Sequence, residues 1–234
     1  MTKAILMAAG LGTRMRPLTE AMPKPMIPVC GTPMIETVVK GLLANGVDEL
    51  YVVVGYLKEK FAPLAEKYPQ VRLVENTEYT IKNNISSIHA VTDYMHGSDF
   101  FICEADLYVS DPSIFAIENT QSCYYGVMVK GHSDDWVFDQ DENGRITRVG
   151  KYGDDVYNMC GVSWFTQKDI ETLRDCILKA YESEGHEQLF WDEVVDQNLD
   201  ILNLTVCPIE RKQIIELDTA DELYAFEAKL KNEA

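Results

Sequence analysis

Long apolar runs are missing from this chain, and no stretch approaches the roughly 18 consecutive apolar residues that a membrane span needs. Positive charge is scarce as well: 21 Lys+Arg stand against 38 Asp+Glu, a formal charge of −17. Such an acidic chain is poorly suited to nonspecific binding of a nucleic-acid backbone or an anionic membrane, so neither is expected as a partner. The opening MTKAILMAAG lacks the apolar core and small-residue cleavage site of a secretory signal. No Cys-x-x-Cys occurs among Cys30, Cys103, Cys123, Cys160, Cys176 and Cys207, whose wide spread reads as reduced thiols. A soluble cytoplasmic protein is expected. His89, His96, His132 and His186 show no metal-site spacing, and no Ser-His-Asp or Cys-His arrangement can be argued.

What is present is ordinary globular composition, 46% hydrophobic and 25% charged, over 234 residues. That length can bury a real core. Apolar runs at Lys3–Met7, Leu50–Val54, Val71–Val74 and Phe100–Cys103 read as buried strands. Between them lie helical patterns. Thr32-Pro33 offers a cap before Ile35, Val38, Val39, Leu42 and Leu43, and Gly46 closes that helix. Phe61, Leu64, Ala65 and Tyr68 mark a second helix with Pro63 in its first turn, and Ile85, Ile88, Val91 and Met95 a third. This alternation predicts an α/β fold, a doubly wound, mostly parallel sheet covered on both faces. After residue 110 the pattern turns β-rich, with strand-like Ser122–Val129, Arg145–Val149 and Tyr157–Phe165 and a turn at Asp141–Gly144. Thr166 with Asp169, and Thr219 with Glu222, resemble capping boxes opening two late helices. Leu202–Val206 and Gln213–Leu217 read as late strands. No linker or repeat divides the chain, so residues 1–234 are expected to form one domain.

The most informative segment is AAGLGTRMRPLTEAMPK, from Ala8 to Lys24. It follows the first strand, where an open α/β sheet presents its ligand site. Gly10 and Gly12 permit close backbone approach to phosphate oxygens, and Arg14, Arg16 and Lys24 bring cations to an otherwise acidic chain. Gly-x-Gly alone fits neither the Rossmann nor the Walker spacing. The loop does run far beyond the usual two to six or so residues, which in a compact domain suggests function. Asp106 ends a strand at the same sheet edge, and Asp218 follows the last strand. Read singly, each is more readily a strand-end or helix-start charge. Asn83 and Asn84 either cap the third helix or offer amide edges to a base. Trp136 adjoins Asp134 and Asp135, and Trp191 adjoins Asp192, though tryptophans are more often core or rim than ligand cage.

AAGLGTRMRPLT followed by Pro23-Lys24 resembles the signature of the sugar-phosphate-type nucleotidyltransferases, which join a nucleoside triphosphate to a phosphorylated small molecule and release pyrophosphate. The resemblance implies a Rossmann-like nucleotidyltransferase fold with a smaller β-rich acceptor-binding part in the second half. It implies that Ala8, Ala9, Gly10, Leu11, Gly12, Thr13 and Arg14 hold the triphosphate, that Lys24 neutralises phosphate charge, and that Asp106 and Asp218 together chelate magnesium. Asn83-Asn84 with Ser87, Asp135-Trp136, Phe190-Trp191-Asp192 and Glu216-Leu217-Asp218 resemble, more narrowly, the bacterial CTP:phosphocholine cytidylyltransferases. With these the likeness spans nearly the whole chain. Asn83, Asn84 and Ser87 would then bind the nucleotide. Trp136, Phe190, Trp191, Asp192 and Glu216 would form the acceptor set around the trimethylammonium head, with Phe190 where the family has tyrosine. Glu104-Ala105-Asp106 stands where the family has Asp-Ala-Asp. The implied reaction is CTP + phosphocholine → CDP-choline + pyrophosphate with magnesium, and Lys24, Arg14, Asp106 and Asp218 are its expected catalytic residues. A sugar 1-phosphate, phosphoethanolamine or an aminophosphonate are alternative acceptors, and a noncatalytic regulatory homologue is the alternative of another class.

Overall fold

The computed structural model describes residues 2–116 and 120–233. Four strands, β1 (Thr2–Ala8), β2 (Val47–Val54), β3 (Val71–Glu75) and β4 (Asp99–Glu104), lie parallel in the order β3-β2-β1-β4. Helices α1 (Met34–Ala44), α2 (Ala62–Lys67) and α3 (Ile85–His89) connect them. Because side chains alternate along a strand, Ala4, Leu6 and Ala8 pack on Ile35, Val38, Val39 and Leu42 of α1, while Ile5 joins Ile85 and Ile88 of α3 on the opposite face. Both faces are covered, which is why these strands are apolar throughout.

The second half adds β5 (Leu107–Val109), β6 (Cys123–Met128), β7 (Val137–Gln140), β8 (Ile146–Gly150) and β9 (Tyr157–Phe165). Helices α4 (Gln167–Tyr181) and α5 (Trp191–Asp196), strands β10 (Thr205–Pro208) and β11 (Ile214–Glu216) and helix α6 (Ala220–Glu233) complete it. β9 runs antiparallel beside β4, with Val162 opposite Cys103. Its first residues pair with β7, which forms a hairpin with β8 across the expected Asp141–Gly144 turn. β6 borders the other edge of β9 and pairs in parallel with β10. Among the described residues no helix is long and apolar enough to cross a membrane. All six cysteines are free.

Several local expectations change for identifiable reasons. Thr32 does not cap α1. It pairs with Val29 in a short ribbon, and extended Pro33 takes the cap position. The third helix stops at His89 because the Thr92 hydroxyl donates to the His89 carbonyl at 2.9 Å, a local bond that competes with the helical ladder. The strand expected at Leu202–Val206 begins at Thr205, while Leu202 and Leu204 enter the core from irregular backbone. The α6 capping box is complete: Glu222 accepts the Thr219 N–H at 2.9 Å, and the Thr219 hydroxyl accepts the Glu222 N–H at 3.2 Å. At α4 the box is relayed. Thr166 accepts the Asp169 N–H, but the Asp169 carboxylate takes the Ser122 hydroxyl at 2.5 Å, and Ser122 accepts the Thr166 N–H at 2.9 Å.

Candidate active site

Parallel register brings four strand ends to one edge, since Ala8 lies opposite Val54, Met7 opposite Glu104 and Val54 opposite Glu75. The backbone leaving that edge is tightly packed. A Cβ on Gly55 would lie 2.7 Å from the Tyr79 ring and 2.9 Å from the Ala9 carbonyl, which accepts the Tyr56 N–H at 3.1 Å. The long loop after β1 is anchored by fully buried Met15, packed with Met34, Leu217 and Leu223. Gly12 adopts φ 60°, and a Cβ there would lie 2.9 Å from Cβ of Lys24, so this glycine lets the Lys24 stem pass beneath the loop. Gly10 faces open space instead.

Asp106 and Asp218 meet because β11 pairs with β5, placing Glu216 opposite Leu107. The Lys24 Nζ lies 2.7 Å from Asp106 Oδ2 and 2.7 Å from Asp218 Oδ1, and Arg14 Nη1 lies 2.8 Å from Asp218 Oδ2. Lys24 is almost fully buried. Burial works against its charge, but the Asp106 carboxylate, with help from Asp218, more than offsets this and holds the ammonium above its ordinary pKa. Arg14 is largely exposed, so its pair contributes little in the free protein.

A cleft of about 300 Å³ opens at this edge. Of the loop residues expected to bind nucleotide, Ala9, Gly10 and Arg14 border it; Ala8, Leu11, Gly12, Thr13 and Lys24 do not. Ala8 is buried at the end of β1, Leu11 is exposed, and Thr13 opens a short 3-10 turn. Asn83, Asn84 and Ser87 all line the cleft. Neither asparagine side chain caps the helix. Asn83 Oδ1 accepts the Asn84 N–H, and Asn84 Oδ1 reaches across to accept the Trp191 N–H at 3.0 Å. Ser87 is buried, and its hydroxyl accepts from Asn76 Nδ2 at 3.2 Å.

One end of the cleft is acidic. Glu104 sits against the β9 backbone at Gly161, which adopts φ 73° and where a Cβ would lie 2.9 Å from Glu104 Oε2. Burial lifts the Glu104 pKa well above the carboxylate range, and the charges of Asp106, Glu216 and Asp192 lift it further. Glu216 opens to the cleft, yet the protein crowding its carboxyl, then Asp106 and Asp218, push it up to about 7. Asp192 is buried and accepts the Tyr124 hydroxyl at 3.0 Å, and burial raises it to about 7. Asp192 and Glu104 line a small cavity continuous with this wall.

The expected aromatic set divides. Trp136 and Phe190 meet edge to face, 5.4 Å between centroids. Trp191 does not join them: it is a core residue, stacked on Tyr124 at 5.8 Å and against Phe165. The first residue of a helix that turns its ring inward cannot also face the partner of its N-cap. Met7, Asn76, Tyr79, Lys82 and Ser86 also line the cleft and were not singled out from the sequence, and Glu104, noted there only as a departure from Asp-Ala-Asp, lines it too. Lys82 carried a usable signal, being a cation directly before Asn83-Asn84. Its ammonium lies 2.6 Å from Glu78 and 4.0 Å from the Tyr181 ring centroid.

Residues 4–135 match the MobA-like NTP transferase domain. A 2-aminoethylphosphonate cytidylyltransferase of Lancefieldella rimae is 54% identical over 97% of this chain and 92% of its own. A choline-phosphate cytidylyltransferase of Streptococcus pneumoniae is 34% identical over 99% of both chains. The solved structure of the CTP:phosphocholine cytidylyltransferase from Streptococcus pneumoniae superposes with a TM-score of 0.90 at 33% identity, covering 98% of this chain and 99% of that one. The inositol-1-phosphate CTP transferase of T. maritima shares the fold, with a TM-score of 0.74 at 20% identity. The β-rich second half is thus part of the nucleotidyltransferase fold that the resemblance implied. The chain belongs to the MobA-like NTP transferase family, and within it is a cytidylyltransferase.

Proposed function

We propose that this chain transfers the cytidylyl group of CTP to a small phosphonate or phosphate ester carrying a primary amine, foremost 2-aminoethylphosphonate, and releases pyrophosphate. One observation carries the choice of acceptor. Glu104 and Glu216 line the cleft beside Asp106, and neither forms an ion pair among the described residues. Carboxylates accept N–H bonds, which a primary ammonium supplies and a quaternary one cannot. A bound ammonium would favour the charged form of both acids and so return their pKa values toward the ordinary range. The 54% identical relative, whose name specifies an aminophosphonate, supports the same reading.

Asp106 and Asp218 fit a magnesium ion, because their carboxylates converge on one point, now held by the Lys24 ammonium. Two carboxylates completed by phosphate oxygens and water are the donor set this ion takes, and when bound it would supply positive charge to the phosphates. No three His, Cys, Asp or Glu converge as a metal cluster among the described residues. The chain's own part is positioning and charge. Arg14 borders the cleft where a triphosphate enters, and Lys24 stands where charge develops. The acceptor oxygen forms a bond to the α-phosphorus, the bond from that phosphorus to the α–β bridging oxygen breaks, and the electron pair leaves with pyrophosphate. No general base is needed, because the attacking phosphonate or phosphate group already carries an anionic oxygen at neutral pH.

Phosphocholine is the second reading, favoured by the Trp136–Phe190 pair, since aromatic faces hold quaternary ammonium groups. Pyrophosphate release across CTP, ATP, GTP and UTP against 2-aminoethylphosphonate, phosphoethanolamine, phosphocholine and glucose 1-phosphate tests both. CTP with 2-aminoethylphosphonate should give the highest kcat/KM; preference for a sugar phosphate, or no release with any pair, would sink the proposal.

A further inference from the structure

Lys151 takes no part in the reaction just described, yet its ammonium occupies a place built for a cation. Its Nζ lies 4.7 Å from the Trp136 ring centroid and 4.6 Å from that of Phe190. Glu193 Oε1 holds it from a third side at 2.9 Å, and Oε2 of the same carboxylate accepts the Phe190 N–H at 2.9 Å. One acid therefore fixes both the lysine and the backbone that carries one of the two rings.

This aromatic pair lines neither the cleft nor the small cavity itself, but its backbone is joined to their acidic wall. The Trp136 carbonyl accepts the Met159 N–H at 2.8 Å, and Met159 lines the small cavity with Glu104 and Asp192. Phe190 leads directly into Trp191 and Asp192. Two rings within about 6 Å of one positive charge are an arrangement that holds an ammonium without using its hydrogens. Here that position is filled by the chain itself. A ligand cation entering it would meet a like charge, whereas the carboxylate wall remains open to an ammonium that donates N–H bonds.

We propose that Lys151 is an acceptor-specificity residue: as the built-in occupant of the Trp136–Phe190 pair it excludes quaternary-ammonium acceptors and leaves the carboxylates to read the acceptor's amine. This inference rests on the primary-amine reading above.

The test compares kcat/KM for phosphocholine and 2-aminoethylphosphonate in the wild type, in Lys151→Ala, and in Lys151→Ala combined with Trp136→Ala, with the KM for CTP as a check on folding. Lys151→Ser serves if the alanine variant does not fold. Emptying the pair should raise the phosphocholine to 2-aminoethylphosphonate ratio by about two- to fivefold, the size of a cation–aromatic contact at a partly exposed site, with the CTP KM little changed. Adding Trp136→Ala should cancel the gain. A wild type that prefers 2-aminoethylphosphonate, with a ratio unmoved by loss of Lys151, overturns the role of Lys151 and leaves the primary-amine reading standing. A wild type that prefers phosphocholine overturns both.

Discussion

The Lys24 Nζ lies 2.7 Å from Asp218 Oδ1, joining residues 194 positions apart, and it touches Asp106 Oδ2 at the same distance. Two carboxylates therefore share one buried cation at the carboxyl edge of the sheet. Asp106→Asn or Asp218→Asn should lower turnover at least about a hundredfold, the scale on which a major electrostatic stabiliser acts. The fold should survive, because asparagine still offers Lys24 an acceptor and both positions are partly exposed. Pyrophosphate release measured across a magnesium titration, alongside a melting curve, checks this. Full turnover with unchanged magnesium dependence in both variants would remove these aspartates from the site.

Removing the shared cation should act differently. Lys24→Ala takes away charge that matters most as the phosphates develop theirs, so kcat should fall while the acceptor KM changes little. The free protein should also lose stability, since Asp106 and Asp218 then face each other with only the exposed Arg14, beside Asp218, as counter-charge. Breaking a buried pair from one side costs about 3–5 kcal/mol, and less here because the acids are partly solvated. Steady-state kinetics in both substrates separates the possibilities. A change confined to the acceptor KM would place Lys24 in the acceptor site instead.

Gly161 offers a way to move Glu104 without replacing it. At φ 73° a side chain is strained, and its Cβ would lie 2.9 Å from Glu104 Oε2 and 3.1 Å from Leu107 Cδ1. Gly161→Ala should therefore displace the Glu104 carboxylate and raise the KM of an amine acceptor several-fold, leaving the CTP KM nearly constant. Its melting temperature should drop by an amount matching about 1 kcal/mol of backbone strain. An unchanged acceptor KM in a destabilised variant would show that Glu104 does not read the acceptor.

Much of this arrangement is legible in the sequence, for particular reasons. The four parallel strands are apolar runs between helical patterns, and a loop as long as the one after β1 has few structural explanations. The convergence of Asp106 and Asp218 was legible only through family resemblance. It depends on the ladder between β11 and β5, three residues each, which no local periodicity announces. α5 has six residues, fewer than two turns, so its pattern could not separate inward Trp191 from Phe190 at its N-cap. β7, with four residues, was likewise hidden. Lys151 stands just beyond β8, and its place between two rings follows from the β7–β8 hairpin meeting α5, a tertiary fact.

Asp192 carries a stability consequence with a definite sign. Burial raises its carboxyl from an ordinary 3.8 to about 7, with the Tyr124 hydroxyl bond opposing part of that shift. Between those values the folded protein holds a proton that the unfolded chain releases, so stability falls as pH rises through this window. The penalty is fully present above about pH 7 and absent below the unfolded pKa. Asp192→Asn removes the titrating group while keeping an oxygen for Tyr124. The advantage in melting temperature of the variant over the wild type should therefore grow from pH 4 to pH 7 and stay flat from pH 7 to pH 9. Each pKa unit is worth about 1.4 kcal/mol, and a chain of this size shifts by about 2–4 °C per kcal/mol, so a growth of at least ~4 °C is expected. Any fixed packing cost of the amide moves the whole curve and leaves its slope intact. Melting of both proteins without ligand at five pH values is sufficient, and a difference that is constant or shrinks toward pH 7 would place the Asp192 carboxyl at its ordinary pKa, ionised in the folded protein.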